Sequence, residues 1–217
     1  MLRLHHFQLS PLCRKARLVL NEKRLPHECV VVRPWDAGIA LKDLTKLALT
    51  DGYVLTDARA IAEYLEETSA GAPLLAVNHR DRAEARRWVN WADDYMWSSV
   101  TSQVLQERVL KRFDPRVDRQ PDLAALKAAQ QELRACMQVL ERQLDRSASL
   151  AGGLGLADLS VAAHLSCLDY FGDVPWSDYV ATRDWYARIK SRPSFRVLLS
   201  DTLPGVPHAA HYQDLDF

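Results

Sequence analysis

Near its N-terminus the chain changes the spacing of its apolar residues twice, and this change constrains the fold strongly. Residues 2–7 alternate with a period of two, as in a strand. Helical spacing then runs from Pro11 to about Lys23, and the β-branched residues at 30–32 return to a strand pattern. Two strands joined through a helix form a βαβ unit with parallel strands. The sequence therefore predicts a small α/β domain here.

A candidate anion or thiol site lies where the first predicted helix begins. Ser10 fits the N-cap and Pro11 the first helical position, so Cys13 falls near the third, beside amides without helical partners. These amides and the helix dipole stabilise a thiolate or a carboxylate. Ser10 and Cys13 are therefore candidate catalytic residues. The alternative is that Ser10 is only a helix cap and Cys13 a half-buried apolar residue.

The rest of the α/β domain is predicted to close with a hairpin and a helix. Short apolar runs at 47–49 and 53–55 flank the turn pair Asp51-Gly52, and an apolar stripe at helical spacing follows. Helix breakers then interrupt the pattern. We expect an α/β domain over 1–70 and a linker over 71–80.

The remainder of the chain has helical periodicity. Apolar stripes cover 85–100 and 126–144, and prolines separate them, since proline cannot continue a helix interior. A glycine-rich stretch precedes Asp158, whose carboxylate can accept from the first amides of its own helix. We expect an all-helical domain over 81–200 and an extended tail over 201–217.

Charge and cysteine usage exclude several classes of partner. The 217 residues include 28 Lys and Arg against 28 Asp and Glu, so the chain lacks the basic excess of nucleic-acid-binding proteins. Four cysteines without a CxxC pair indicate reduced thiols. The triplet Arg14, Lys15 and Arg17 is expected on a solvated helix face. No metal site is expected, because His5 and His6 point to opposite faces of a strand. We expect a cytoplasmic protein without nucleic-acid binding or membrane insertion.

Four segments carry a resemblance to a known superfamily. The helix start at 10–17, the strand-turn-helix segment at 51–65, and the segments 155–162 and 192–195 occur in the order typical of glutathione transferases. Gly155 stands where that family usually has serine or threonine. The resemblance implies a thioredoxin-like α/β domain followed by an all-α domain, the glutathione transferase fold. It also implies a glutathione site in which the residue at the Ser10 position faces the glutathione sulfur.

The positions that would bind glutathione depart from the family pattern. The family has a cis-proline where Leu47 precedes Ala48, and a serine that holds the γ-glutamyl carboxylate where Ala58 stands. A cis bond before leucine costs about 2.5–4 kcal/mol, so we expect a trans bond. Losing one donor to a carboxylate weakens binding by roughly 1.5–3 kcal/mol. Asp57 stands where the family usually has Glu or Gln; it could still accept from the γ-glutamyl amine, but its side chain is shorter. These four positions predict weak or absent glutathione binding and no cofactor.

Two segments are candidates for partner binding. Trp35 is predicted on a loop, where it is either exposed for a partner or packed back onto the linker or the second domain. The proline-broken tail ends in alternating acidic and apolar residues, and it is either a recognition segment, a frayed terminus or a strap across its own surface. The candidate contact residues of the tail are Tyr212, Asp214, Leu215, Asp216 and Phe217.

The lost proline, the Trp35 segment and the tail together resemble the FtsZ-binding, glutathione-transferase-like division proteins of alphaproteobacteria. That resemblance implies a non-catalytic homodimer that binds FtsZ polymers at the division site. The dimer surface would come from helices around Trp88 to Met96 and Leu126 to Met137. Two alternatives stay open. One is a glutathione transferase that conjugates small electrophiles, with Ser10 stabilising the thiolate, and the other is a thiol-dependent reductase that uses Cys13.

Overall fold

The computed structural model describes residues 1–215, and its N-terminal part is built on a four-stranded sheet. The spatial order is β2-β1-β3-β4, in which β1 and β2 run parallel and the other neighbouring pairs run antiparallel. The strands are β1 Leu2–His6, β2 His27–Val31, β3 Lys46–Ala48 and β4 Val54–Thr56. The predicted βαβ unit and the hairpin are confirmed, although β2 begins earlier than the β-branched run indicated.

Three α-helices and a 3-10 turn at Leu41–Asp43 complete this part of the molecule. Helix α1 (Pro11–Glu22) joins β1 to β2, the short α2 (Pro34–Ala37) follows β2, and α3 (Ala58–Thr68) follows β4. The buried residues of α1 run continuously from Pro11 to Leu20. This complete burial follows from the position of α1, which packs against α3 on one side and against the helical part of the chain on the other.

The helical part begins at His79. Five helical segments follow one another without a break over 79–113, and together they form helix α4. Two of them, Trp91–Thr101 and Gln106–Leu110, have the wide turns of a π-helix. The predicted break at the prolines precedes the next helix. The remaining helices are α5 Leu123–Leu144, α6 Leu156–Tyr170, α7 Val180–Lys190 and α8 Pro193–Leu199.

Helix α6 is the centre of the core, since every one of its residues is buried. Its start is held by Asp158, as the sequence predicts. The Asp158 carboxylate accepts from the Gly155 amide at 3.0 Å and from the Leu150 amide at 3.1 Å. It also accepts from the Trp185 indole at 2.8 Å. This one carboxylate therefore ties the start of α6 to α7.

The described part of the tail, residues 201–215, lies as a strap across the protein's own surface, which was one of the alternatives for this segment. Residues Ala210–Gln213 form a 3-10 turn, and the Tyr212 side chain is fully buried. The Tyr212 hydroxyl donates to the Leu198 carbonyl at 2.9 Å, and the Gln213 amide donates to the Leu199 carbonyl at 3.0 Å. The tail therefore packs back across α8. Asp216 and Phe217, predicted as contact residues, lie outside the described residues.

Candidate functional site

Ser10 caps α1, as predicted, because its hydroxyl accepts from the Cys13 amide at 3.4 Å. The side chains of Ser10 and Cys13 are nevertheless completely buried. The expectation that the Ser10 hydroxyl faces an incoming thiol is therefore wrong for this structure. Leu12, rather than Ser10, lines the adjacent cleft.

The Cys13 thiol is enclosed by the α/β domain. Its sulfur lies 3.4 Å from the Phe7 amide and 3.2 Å from the Thr45 hydroxyl. Burial raises the pKa of Cys13, and the hydrogen bonds from Thr45, Phe7 and Ser10 only partly oppose that effect. A buried thiol with a raised pKa stays protonated at neutral pH. The structure therefore contradicts the interpretation of Cys13 as a reactive nucleophile.

The Leu47 position belongs to the core of the sheet. Every peptide bond between residues 1 and 215 is trans, including the one before Leu47, as expected. In β3, Leu47 pairs with Leu4 of β1 and Leu55 of β4, and its side chain is fully buried. Ala48, which follows it, is half-buried. Leu47 thus has a packing role at the place where the family has its proline.

The Asp57-Ala58 pair begins helix α3. The Asp57 carboxylate accepts from the Arg59 amide at 2.7 Å and from the Ala60 amide at 3.1 Å. Its backbone has φ 70°, a left-handed conformation that costs a non-glycine residue on the order of 1–3 kcal/mol. Ala58 is buried and offers no side-chain donor. Both amides donate to the same Asp57 oxygen, Oδ1, so the observed contacts of Asp57 are with its own helix. These contacts give no support to the expected role of Asp57 toward a γ-glutamyl amine.

A cleft of about 470 Å³ lies beside this helix start. It carries four carboxylates and two basic side chains, whereas glutathione itself brings two carboxylates and one ammonium group. One of the basic side chains, Arg59, is engaged by Asp94 at 2.9 Å. The residues present therefore do not fit glutathione well. The lining residues are Leu12, Lys42, Asp43, Asp57, Ala58, Arg59, Asp93, Asp94, Trp97 and Ser98.

Comparisons with known proteins agree with this fold. Residues 9–68 match the family model described as the glutathione S-transferase N-terminal domain. The chain is 42% identical over 224 residues to FtsZ-localized protein A of Caulobacter vibrioides (strain NA1000 / CB15N). The aligned region covers 99% of this chain and 97% of that protein. This chain belongs to the glutathione transferase family. The predicted superfamily is therefore confirmed.

Solved structures of related proteins confirm the glutathione transferase fold. FzlA from C. crescentus superposes with a TM-score of 0.92 at 41% identity, covering 100% of this chain and 99% of that one. A glutathione S-transferase from Rhodospirillum rubrum F11 has a TM-score of 0.92 at 40% identity, covering 100% of both chains. Both matches extend across the α/β and the helical parts of this family member.

Sequence reasoning missed a buried polar network at the edge of the cleft. The Lys15 ammonium donates to Asp93, and both side chains are at most 4% exposed. The His164 Nε2 atom lies 3.8 Å from the second Asp93 oxygen, and the His164 Nδ1 atom lies 2.9 Å from the Thr101 hydroxyl. The network joins α1, α4 and α6. It therefore couples the α/β part of this transferase-family protein to its helical part.

Burial and charge compete within that network. Burial alone would raise the pKa of Asp93, but Lys15 and His164 hold it below its usual value. Burial lowers the pKa of His164, which favours its neutral form. The signal in the sequence is Lys15 within the basic triplet of α1, but only the tertiary structure reveals that its side chain is buried.

Arg14 and Arg17 are buried as well, so the prediction of a solvated basic face on α1 is wrong. Arg17 Nη1 donates to the two Asp201 oxygens at 2.9 Å and 2.7 Å. Arg14 donates to the Ser166 hydroxyl at 2.8 Å and to Asp201 at 3.3 Å. These arginines anchor the start of the tail to the α/β domain.

For both candidate partner segments the structure shows the packed alternative and not the exposed one. Trp35 lies in α2 and not on an open loop, and it is half-buried. Its ring stacks on Phe113 of α4 at 5.0 Å and meets Phe7 edge-on at 5.6 Å. Tyr212 is buried, so its side chain is a structural anchor and is not exposed to a partner. Beyond it, Asp214 is exposed and Leu215 is half-buried.

Between residues 1 and 215, no helix combines the length and the apolar character that a membrane crossing requires.

Proposed function

We propose that this protein is a non-catalytic member of the glutathione transferase family that binds FtsZ polymers and acts in cell division. The observation that carries the proposal is the similarity to FtsZ-localized protein A, at 42% identity over 99% of this chain. That relative is named for its localisation with FtsZ. Binding to the same kind of partner would bring this protein to the division site.

The geometry of the glutathione site supports the non-catalytic part of this proposal. Ser10 has no exposed surface to present to a thiol, and the Cys13 thiol is equally buried. Ala58 cannot donate to a γ-glutamyl carboxylate, since it has no polar side-chain atom. Each missing donor to a charged group weakens binding by roughly 1.5–3 kcal/mol.

The end of the tail is the proposed contact with the polymer. Tyr212 and Gln213 fix the 3-10 turn to α8, so the residues after them start from a defined position. Asp214 is exposed there and Leu215 is half-buried. An acidic residue beside an apolar one provides both charge and buried area for a partner. Asp216 and Phe217 extend the same alternation in the sequence.

Co-sedimentation with polymerised FtsZ tests this contact. We expect the full-length protein to pellet with the polymer, and a truncation after Gln213 to lose most of that binding. The truncation keeps the hydrogen bonds of Tyr212 and Gln213 to α8, and an unchanged urea midpoint verifies its fold. Tyr212→Phe, which removes one buried hydrogen bond but no exposed group, serves as the control and still pellets.

Two outcomes contradict the proposal in separate ways. A truncated protein that pellets as well as the full-length protein removes the role of the tail. A full-length protein that stays in the supernatant overturns FtsZ binding itself.

The cleft of about 470 Å³ favours one alternative, a transferase that conjugates glutathione to small electrophiles. Glutathione at about 100 times its Kd would stabilise the protein by about 2.7 kcal/mol, which is a clear rise in Tm. We expect millimolar glutathione to leave Tm unchanged and an aryl halide to remain unconjugated. Conjugation that falls in Ser10→Ala would establish the alternative.

We also propose that the protein forms a homodimer through the outward faces of α4 and α5. Trp88 and Met96 are buried in the core, so the contact would use other positions on α4. The Tyr95 ring is 45% exposed, stacks on Trp91 at 6.1 Å, and its hydroxyl donates to Glu132 of α5. Exposed aromatic side chains of this kind are enriched in interfaces.

Light scattering after size-exclusion chromatography tests the dimer. We expect a dimer for the native sequence and a monomer for Tyr95→Glu, because a buried carboxylate without a partner opposes association. Val180→Glu changes an exposed apolar residue on α7 and remains dimeric. A native protein that elutes as a monomer at high concentration would contradict the proposal.

A further inference from the structure

A second groove, of about 510 Å³, lies at the C-terminal end of α4, and its lining is basic. Arg108, Lys111 and Arg112 come from α4, and Arg119 comes from the segment that joins α4 to α5. Glu107 is the one acidic residue among its lining residues in the described chain. The groove is separate from the cleft at the start of α3, with which it shares no lining residue.

Only two of these four basic side chains form an ion pair with a carboxylate. Arg108 pairs with Asp173 at 2.5 Å, and Lys111 pairs with Glu107 at 2.8 Å. Arg112 and Arg119, in contrast, have no carboxylate within ion-pair distance anywhere in residues 1–215. Since the whole chain has a formal net charge of zero, this is a local excess of positive charge at one groove.

The floor of the groove is apolar and held in place. The Phe171 ring lies beneath the Arg108 guanidinium, 5.4 Å from ring centroid to Cζ. Val206 and Pro207 form the adjoining wall. The Val206 carbonyl accepts from the Tyr170 hydroxyl at 2.6 Å, and the Val206 amide donates to the Leu203 carbonyl at 2.9 Å. These bonds fix the wall, so the groove is preformed.

We propose that this groove docks an acidic peptide segment of a partner protein, in which an apolar side chain lies between carboxylates. Arginine presents its donors in a planar fork that matches a carboxylate with two parallel hydrogen bonds. The guanidinium groups of Arg112 and Arg119, which have no ion-pair partner among residues 1–215, would bind the carboxylates of the peptide. The apolar side chain between those carboxylates would pack on the floor of the groove. An inorganic anion would leave that floor uncovered. This inference does not depend on the proposed function.

Fluorescence anisotropy with the full-length protein tests the groove, using fluorescein-labelled Glu-Asp-Phe-Asp-Glu as the probe. We expect saturable binding that weakens as salt is added, because exposed charge pairs are screened. The double variant Arg112→Glu, Arg119→Glu should lose roughly tenfold or more in affinity, since two attractive contacts become repulsive. Both residues are exposed, so the fold should be retained, and a urea midpoint verifies this.

Matched controls separate the groove from general electrostatics. The double variant Arg80→Glu, Arg183→Glu makes the same charge change on α4 and α7, outside the groove, and should bind the probe as the native protein does. The probe Glu-Asp-Gly-Asp-Glu lacks the apolar side chain and should bind more weakly.

Three results would overturn the proposal. The first is no saturable binding of the phenylalanine probe at millimolar protein. The second is equal binding to the groove variant and the native protein. The third is equal affinity for the glycine probe together with displacement by inorganic phosphate at matched ionic strength, which would identify a simple anion site.

Discussion

Gly155 lies so close to Leu74 that a Cβ atom on residue 155 would stand 2.4 Å from the Leu74 carbonyl oxygen. That carbonyl also accepts from the Leu156 amide at 2.8 Å. The segment before α4 is thus hydrogen-bonded across the start of α6. Glycine at this N-cap is therefore required by packing, although the family usually has a hydroxyl residue there.

Gly155→Ser restores the family residue and should still destabilise the protein. A serine in place of glycine at an N-cap contributes only a few tenths of a kcal/mol, whereas overpacking against a fixed backbone carbonyl costs roughly 1–3 kcal/mol, and more if the segment at Leu74 is displaced. We expect a lower urea midpoint with an unchanged m-value, and a similar result for Gly155→Ala. A midpoint above that of the native protein would show that Leu74 moves aside without cost.

Lys15 and Asp93 form a buried ion pair, so substitutions of the two residues should have strongly non-additive effects on the free energy of unfolding. Asp93→Leu or Lys15→Met alone leaves one buried charge without its partner, which costs about 3–5 kcal/mol. The double variant, Lys15→Met with Asp93→Leu, should cost far less than the sum of the single changes. A double-mutant cycle by urea unfolding measures the coupling.

The exposed pair Arg87–Glu84 is the matched control for that cycle, since both of its side chains are about half exposed. Its coupling should fall within about 0–1 kcal/mol. If the buried pair couples no more strongly than this surface pair, Lys15 and Asp93 do not hold the two parts of the molecule together.

The four cysteines should differ sharply in their reactivity. Cys29 is exposed on β2, whereas Cys13, Cys136 and Cys167 are buried. Burial raises the pKa of all four thiols, to about 12 for Cys136 and about 11 for Cys167, so exposure decides which of them reacts first. We therefore expect iodoacetamide at neutral pH to label Cys29 first, as peptide mass spectrometry can determine. Rapid labelling of Cys13 would restore the reductase interpretation.

Local patterns predicted the parts of this structure that depend on neighbours in sequence. The βαβ unit, the hairpin, the Ser10 cap and the Asp158 carboxylate all follow from periodicity or from capping chemistry over a few residues. The trans bond at Leu47 followed from the intrinsic cost of the alternative.

The errors concern side chains whose partners are distant in sequence. Lys15 contacts Asp93, 78 residues away, and Arg17 contacts Asp201, 184 residues away. Periodicity assigns a charged residue to the solvent unless its partner is known, so the burial of these side chains could not be predicted. The choice between an exposed and a packed Trp35 stayed open for the same reason, because its stacking partner Phe113 comes from the other part of the chain.

His6 should make the stability of the protein depend on pH below neutrality. Burial, with further contributions from Arg17, Arg14 and His27, lowers the pKa of His6 from 6.5 to about 3. Between these values the unfolded chain binds a proton that the folded protein excludes, so the free energy of unfolding decreases as the pH falls through this window. From pH 7 to pH 5 the loss from this group is on the order of 2 kcal/mol.

The lowered pKa of His164 acts in the same direction over this window, so His6 accounts for only part of the slope. Urea midpoints between pH 7 and pH 5 should therefore fall less steeply in His6→Asn than in the native protein. His79→Asn makes the same substitution at an exposed position on α4 and should keep the native slope. If His6→Asn and the native protein lose stability in parallel, His6 must accept its proton without unfolding, which would require water to reach its ring beside Arg14 and Arg17.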